Sequence, residues 1–339
     1  MLVHLTLSRT QIVRFRRRAG CLDERLPKLG PGSLRRAAWA GLQDSMPRAA
    51  LLSLHARVVG VESTALEHSS LVQLWGPRFN NYVVAAGDLP VFSLGRLPDD
   101  APRRERAQDL ASRLHALLGN RELPFGEAGR ALGVVPNSLR YAAATGRVLI
   151  RWDGAKQPLI RTIPAPAADP FRARLELARR YLHVFGPGTA ASFGDWAGIL
   201  PTEARSALEA LAGELIPVRT PLQTGWMLAE DEAAIRAPAD HPAPARLLPS
   251  GDSFYLAWGA HRDLLVGDPK RRAALWTSRV WPGALLVKGE LAGVWRRAGG
   301  AVSIEPWRRL TAAERAAVET EALTLPLPGL DTPITIGWA

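Results

Sequence analysis

A chain of 339 residues with 47% hydrophobic and 22% charged residues has ordinary globular composition, which excludes a wholly disordered protein and at this length predicts two or more domains. Lys+Arg 43 against Asp+Glu 32 gives a net charge of +11, and only four of the cations are lysines, at 28, 156, 270 and 288. Arginine's planar fork suits phosphate, so the charge points toward nucleic acid; a genome rich in GC, inflating Arg with Ala, Gly and Pro, is the plainer source of the same excess.

No apolar run approaches the ~20 residues of a membrane span. The opening stretch to Gly20 ends in Arg14, Arg16, Arg17 and Arg18 where a signal peptide would need an apolar core, so neither secretion nor membrane association is expected. One cysteine, Cys21, and scattered histidines leave no disulfide and no common zinc spacing. The expected setting is the reducing cytoplasm, near the nucleoid, with no metal and no cofactor.

In chain order, Ser8 is placed to cap a helix ending at Ala19, and a second helix is expected over Ser33 to Ala40. A third runs from Arg48 to Val59, with Leu51, Leu52, Leu54 and Val58 at helical spacing, and Phe79 to Ala85 leans toward β. Arg103 to Leu118 reads as an amphipathic helix closed by Gly119, followed by a short helix over Phe125 to Leu132, a turn, and a helix over Asn137 to Thr145. A hairpin of Arg147 to Trp152 and Pro158 to Ile163 turns at Asp153-Gly154. Helix, short helix, tight turn, helix and hairpin is the plan of a winged helix-turn-helix.

The plan recurs: a basic helix over Phe171 to Phe185, Phe193-Gly194-Asp195-Trp196-Ala197 echoing Phe125-Gly126-Glu127-Ala128-Gly129, a helix over Thr202 to Leu211, and strands at Glu214 to Val218 and Gly225 to Leu228. After a proline-rich linker the pattern becomes β, with strands expected at Phe254 to Trp258, Leu264 to Val266, Ala284 to Lys288, Leu291 to Arg297, Ser303 to Trp307 and Thr332 to Trp338, and a helix at Ala312 to Leu323. The expected fold is α+β: an N-terminal winged-helix-like module (1–100), two winged helix-turn-helix modules (101–167 and 168–235) and a β-rich, barrel-like domain (245–339).

In such modules the second helix enters a groove and the wing reaches the backbone. Those positions hold Asn137, Ser138, Arg140 and Tyr141, with Arg147, Arg151 and Lys156 on or near the wing. The plain alternative makes Arg140 a solvated residue and Tyr141 core. In the second copy, Thr202, Glu203, Arg205 and Glu209 carry two glutamates, which suits scaffold better than phosphate contact. Arg14, Arg17 and Arg18 are further candidates for phosphate, since four arginines in five residues repel one another without an anion. Trp75, before Gly76-Pro77-Arg78, is placed to act with Arg78. Finally, in Gly41-Leu42-Gln43-Asp44-Ser45-Met46-Pro47, alternation along an extended segment points Gln43 and Ser45 the same way and Asp44 the other. Two polar side chains side by side between helices can position a water; a capping and turn role is the plainer reading.

Gly41 to Ala50 with Ala56-Arg57-Val58 resembles the GLQAQ…P-x-A…AR stretch of the AlkZ/YcaQ-like family of bacterial winged-helix DNA glycosylases. Trp75-Gly76-Pro77-Arg78 is similar to that family's W-x-x-R-G-T-x-H segment. Leu247-Leu248-Pro249 with Asp252, His261-Arg262-Asp263, Leu285 to Gly289 and Gly293-Val294-Trp295-Arg296 follow its C-terminal pattern in order. The resemblance implies a protein that grips duplex DNA and hydrolyses the N-glycosidic bond of N7-alkylated purines or crosslinks, and tandem modules in one chain make a monomer the expectation. Its catalytic pair would be Gln43 and Ser45, where the family carries Gln-x-Gln or Gln-x-Asp; the family's His aligns with Tyr82. The alternative is a non-catalytic DNA-binding protein for damage recognition or regulation.

Overall fold

The computed structural model describes residues 5–44, 46, 48–153, 157–238, 243–257, 259–330 and 333–339. The chain begins with β1 (Leu5–Thr6), α1 (Arg9–Ala19), α2 (Pro31–Ala37), β2 (Leu42–Gln43), α3 (Ala49–His55), β3 (Leu71–Trp75), β4 (Asn81–Ala85) and α4 (Leu89–Phe92). Ser8 starts α1 with a reciprocal cap: its hydroxyl accepts from the Gln11 amide while the Gln11 side chain accepts from the Ser8 amide. Ile12, Phe15 and Ala19 on the inner face of α1 bury against Val218 and Met227 from much later in the chain.

Next come α5 (Ala101–Leu118), β5 (Leu123–Pro124), α6 (Phe125–Ala131), α7 (Leu139–Ala142), β6 (Val148–Arg151) and β7 (Leu159–Thr162). Ala107, Leu110, Ala111, Leu114 and Leu118 form the apolar stripe of α5, and the last four of these pack with Leu139, Val148 and Ile160. The helix expected over Asn137 to Thr145 is a single α-turn, α7, between two 3-10 turns. Pro136 opens the segment and Gly146, at φ +73°, closes it, leaving too little chain for a regular ladder.

The stretch expected to repeat this plan is more regular: α8 (Pro170–Phe185), α9 (Ala190–Ala197), α10 (Pro201–Ala210), β8 (Leu215–Arg219), β9 (Thr224–Leu228) and α11 (Glu232–Arg236). Leu177, Tyr181, Phe185, Phe193, Trp196 and Ala204 make one aromatic-rich core that also takes in Tyr82 and Phe92. Glu203 is scaffold in a concrete sense: one oxygen accepts from the Leu200 amide and caps α10, the other accepts from the Asp99 amide ahead of α5.

The last stretch contains β10 (Arg246–Leu248), α12 (His261–Leu265), α13 (Pro269–Leu275), β11 (Gly283–Val287), β12 (Glu290–Ala298), β13 (Ala301–Pro306), α14 (Ala312–Leu323) and β14 (Thr335–Trp338). Two strand expectations fail here. Leu264-Leu265-Val266 falls on and just after α12, a short apolar run whose period could not separate helix from strand. Phe254 to Ala257 is a turn in which the Asp252 carboxylate accepts from the Phe254 amide and the Asp252 carbonyl from the amides of Tyr255 and Leu256; Trp258 lies outside the described residues. The expected barrel is an open five-stranded sheet in the order β10-β11-β12-β13-β14, and no ladder among the described residues joins its two edges.

A six-stranded sheet in the order β2-β4-β3-β6-β7-β5 joins the first stretch of chain to the hairpin that follows α5. At its seam the ladder pairs only Gln73 with Ile150, and the Gln73 amide extends it by accepting from the Trp152 amide at 2.7 Å and donating to its carbonyl. A third, three-stranded sheet places β1 beside β8. No helix among the described residues is long and apolar enough to cross a membrane.

Candidate active site and nucleic-acid interface

Gln43 sits at the end of β2, paired with Tyr82 of β4, and the Tyr82 hydroxyl donates to Gln43 Oε1 at 3.4 Å. Tyr82 is buried and its phenol is pushed up by that burial, so it stays protonated and available as a donor. Gly41 and Gly76 make room for its ring: a Cβ on either would come within 3 Å of it.

Asp44 turns inward. It is 1% exposed, its Oδ1 accepts from the Ala50 amide at 2.9 Å in the first turn of α3, and its Oδ2 has no hydrogen-bond partner among the described residues. Burial raises its pKa to about 6, against the opposing pull of that hydrogen bond and of Arg48. Half-buried Gln43 and fully buried Asp44 diverge, as alternation along an extended strand requires. Ser45 lies outside the described residues. Beyond it, Met46 and Ala49 form one wall of a cleft of about 370 Å³ whose other wall carries Trp281, Trp295, Arg296 and Arg297. Arg296 and Arg297 are exposed on β12.

The turn from Trp75 to Asn80 is clamped on several sides. Arg78 and Phe79 both have positive φ. Arg96, buried, donates to the Trp75 and Ala197 carbonyls and lies over the Phe79 ring at 4.7 Å. Arg140 donates to the Phe79 carbonyl at 3.3 Å and lies 6.0 Å from the Trp75 ring centroid. Gly198, at φ +71°, packs against the Arg78 backbone, where a Cβ would come to 3.0 Å. Trp75 therefore belongs to the core, 1% exposed, and has no free face for a nucleotide. Arg78 is exposed at the mouth of a shallow cleft with Phe79, Asp195 and Ile199.

A family model for AlkZ-like DNA glycosylases matches residues 35–325. The chain belongs to the AlkZ-like DNA glycosylase family. Its fold is similar to that of the Streptomyces sahachiroi DNA glycosylase AlkZ, with a TM-score of 0.78 at 16% identity over 99% of this chain and 100% of that one. No curated protein sequence matches it.

The remaining candidates divide in this AlkZ-like chain. Asn137 is exposed beside α7, and Tyr141, a groove-contact candidate whose plain alternative was core, is 53% exposed with its ring edge-on to Phe79. Arg140 is half-buried and anchored to the turn instead of being a solvated residue. Arg147 donates to Ser112, and Arg151 pairs with Glu122 at 2.8 Å, a pair exposed enough to exchange for phosphate at little cost. Lys156 lies outside the described residues.

The N-terminal arginine cluster has partners within the chain. Arg17 is buried against Asp23 and also donates to the Gly289 carbonyl; Arg18 pairs with Asp23 and donates to the Pro238 carbonyl. Their repulsion is relieved by a carboxylate just past the helix end and by carbonyls far along the chain, which spacing within one helix does not reveal. Arg14 is half-buried with no hydrogen bond or ion pair among the described residues. Sequence reasoning missed two features: the arginines of β12 facing Met46 and Ala49, and a cavity around Arg16. Arg296 did stand within the C-terminal motif, so a signal for the first existed.

Proposed function

We propose that this chain binds duplex DNA, with Gln43, Arg78, Asn137 and Arg296 among the contacting residues, and hydrolyses the N-glycosidic bond of N7-alkylated purines or of crosslinks built on them. In this reading α5 to β7 and α8 to β9 act as winged helix-turn-helix modules, with a related N-terminal module and the C-terminal sheet completing the four units 1–100, 101–167, 168–235 and 245–339. The protein works as a monomer, because tandem modules contact both sides of a site without a second copy.

An N7-alkyl purine is cationic and leaves without a strong general acid, so the enzyme has to orient water and stabilise the electron-poor sugar. The observation that carries the reading is Gln43, held half-buried at a strand end with its Oε1 accepting from the Tyr82 hydroxyl, which fixes the amide two positions before Ser45. Asp44 is too enclosed to touch substrate; it fixes the bend from β2 into α3. Ser45 supplies a hydroxyl where an amide or carboxylate would polarise the water more strongly, so activity is weakened relative to a Gln-x-Gln pair.

The test is excision of 7-methylguanine from duplex, read as abasic sites. Gln43→Ala lowers the rate by ~10²–10³-fold while duplex binding is kept, and Ser45→Gln raises it. Unchanged, near-zero excision in Ser45→Gln would remove position 45 as the limit on chemistry. A second reading, a non-catalytic binder, is favoured by Ser45 together with Tyr82 in place of the family's His; it predicts no abasic sites with any variant. In both readings affinity falls steeply as salt rises.

A further inference from the structure

Between α1, α8, α9 and α12 lies a cavity of about 240 Å³ lined by Arg16, Tyr181, Ser192, Phe254 and His261, with Gln223 at its edge. Arg16 is 5% exposed and forms no ion pair with any described carboxylate. Its Nε donates to the Gly186 carbonyl at 3.0 Å and its Nη2 to His261 Nδ1 at 3.3 Å. Burial lowers its pKa to about 10, so it remains a cation at neutral pH. A buried cation without a counter-charge is costly, and an anion supplied from outside removes that cost.

The surroundings agree. A guanidinium only donates, so His261 Nδ1 accepts; the neutral ring, its pKa lowered to about 4 by burial and by Arg16, therefore carries its proton on Nε2. That Nε2–H is buried without an acceptor among the described residues. The N-terminus of α9 opens on the same space through Ala191 and Ser192, with no acidic residue in its first turn. The cavity's carboxylate, Asp195, is exposed at the rim and makes no ion pair with Arg16. Tyr181 and Phe254, both buried, wall the remainder with aromatic surface.

We propose that this cavity binds the phosphate of a nucleotide, with Arg16 as the anion anchor and the aromatic wall receiving the organic portion. The phosphate belongs either to a free mononucleotide or to a DNA strand. The DNA arm rests on the duplex-binding reading above; the free-ligand arm does not.

Calorimetric titration of the full chain with inorganic phosphate and with 2′-deoxyguanosine monophosphate separates these sources. Saturable binding of both, tighter for the nucleotide and weakened by ~10-fold or more in Arg16→Met and in Gln223→Glu, supports the site and assigns free nucleotide. Gln223 is exposed, so its substitution leaves packing intact and keeps the test decisive if Arg16→Met does not fold. Where free phosphate does not bind, a fall of about one unit in the salt slope for duplex in both variants assigns a strand phosphate. No binding of either free ligand, with wild-type duplex affinity and salt slope in Gln223→Glu, overturns the proposal. Loss of duplex binding by the unmodified protein, with nucleotide binding kept, overturns the duplex reading and leaves this one standing.

Discussion

Asp252→Asn tests how the helix behind the candidate active site is tied to the C-terminal sheet. Arg57 and Asp252 are each 1% exposed and meet through two hydrogen bonds, Nη1 to Oδ2 at 2.7 Å and Nη2 to Oδ1 at 2.8 Å. The same carboxylate accepts from Ser53 Oγ of α3 at 2.7 Å and from the Phe254 amide at 2.9 Å, while Arg57 also donates to the Ser53 carbonyl and Ser253 Oγ. Replacing the carboxylate with an amide leaves a buried guanidinium without its counter-charge, a loss of about 3–5 kcal/mol. With a urea slope of about 1–3 kcal/mol/M, that moves the unfolding midpoint down by at least about 1 M, followed by tryptophan fluorescence. The paired variant Arg57→Met/Asp252→Leu removes both charges and recovers most of the loss. A midpoint within about 0.3 M of wild type in Asp252→Asn would refute the reasoning, because it would mean the guanidinium finds water or another acceptor.

Three further outcomes follow from single sites. The Asp44 carboxyl titrates near pH 6 in the fold against 3.8 without it, so the folded form holds the extra proton between those values and stability falls as pH rises through that window. Asp44→Asn is therefore more stable than wild type at pH 8 by about 2–3 kcal/mol and indistinguishable near pH 4, checked by denaturation at both. Glu203→Ala leaves the Asp99 and Leu200 amides without acceptors and costs about 2–3 kcal/mol, read as a lower urea midpoint. Gly41→Ala places a Cβ 2.8 Å from the Tyr82 ring at φ +73°, so excision falls more than duplex affinity; equal loss of both would mean the Tyr82–Gln43 contact is not what moved.

Local chemistry is where the sequence was most readable. Ser8 capped α1, Gly119 closed α5, and the expected helix from Ala312 to Leu323 matches α14 residue for residue. Caps, glycines and apolar spacing act over a few residues, so they survive being read without neighbours. The ordered motifs around Gln43, Trp75 and Trp295 were likewise sufficient to point to the family.

What the chain alone withheld were the outcomes set by distant partners. Trp75 looked available until Arg96 and Arg140 closed over its turn; Arg17 looked like a phosphate ligand until Asp23 and the Gly289 carbonyl met it. Tyr141 could be read as groove contact or as core and is exposed, while Arg16, one cation among four, lies buried in a cavity without a carboxylate partner among the described residues. Burial and ion pairing are properties of three-dimensional neighbourhoods, and 3.6-residue or two-residue periodicity carries no information about a carboxylate beyond the helix end or a carbonyl hundreds of positions away.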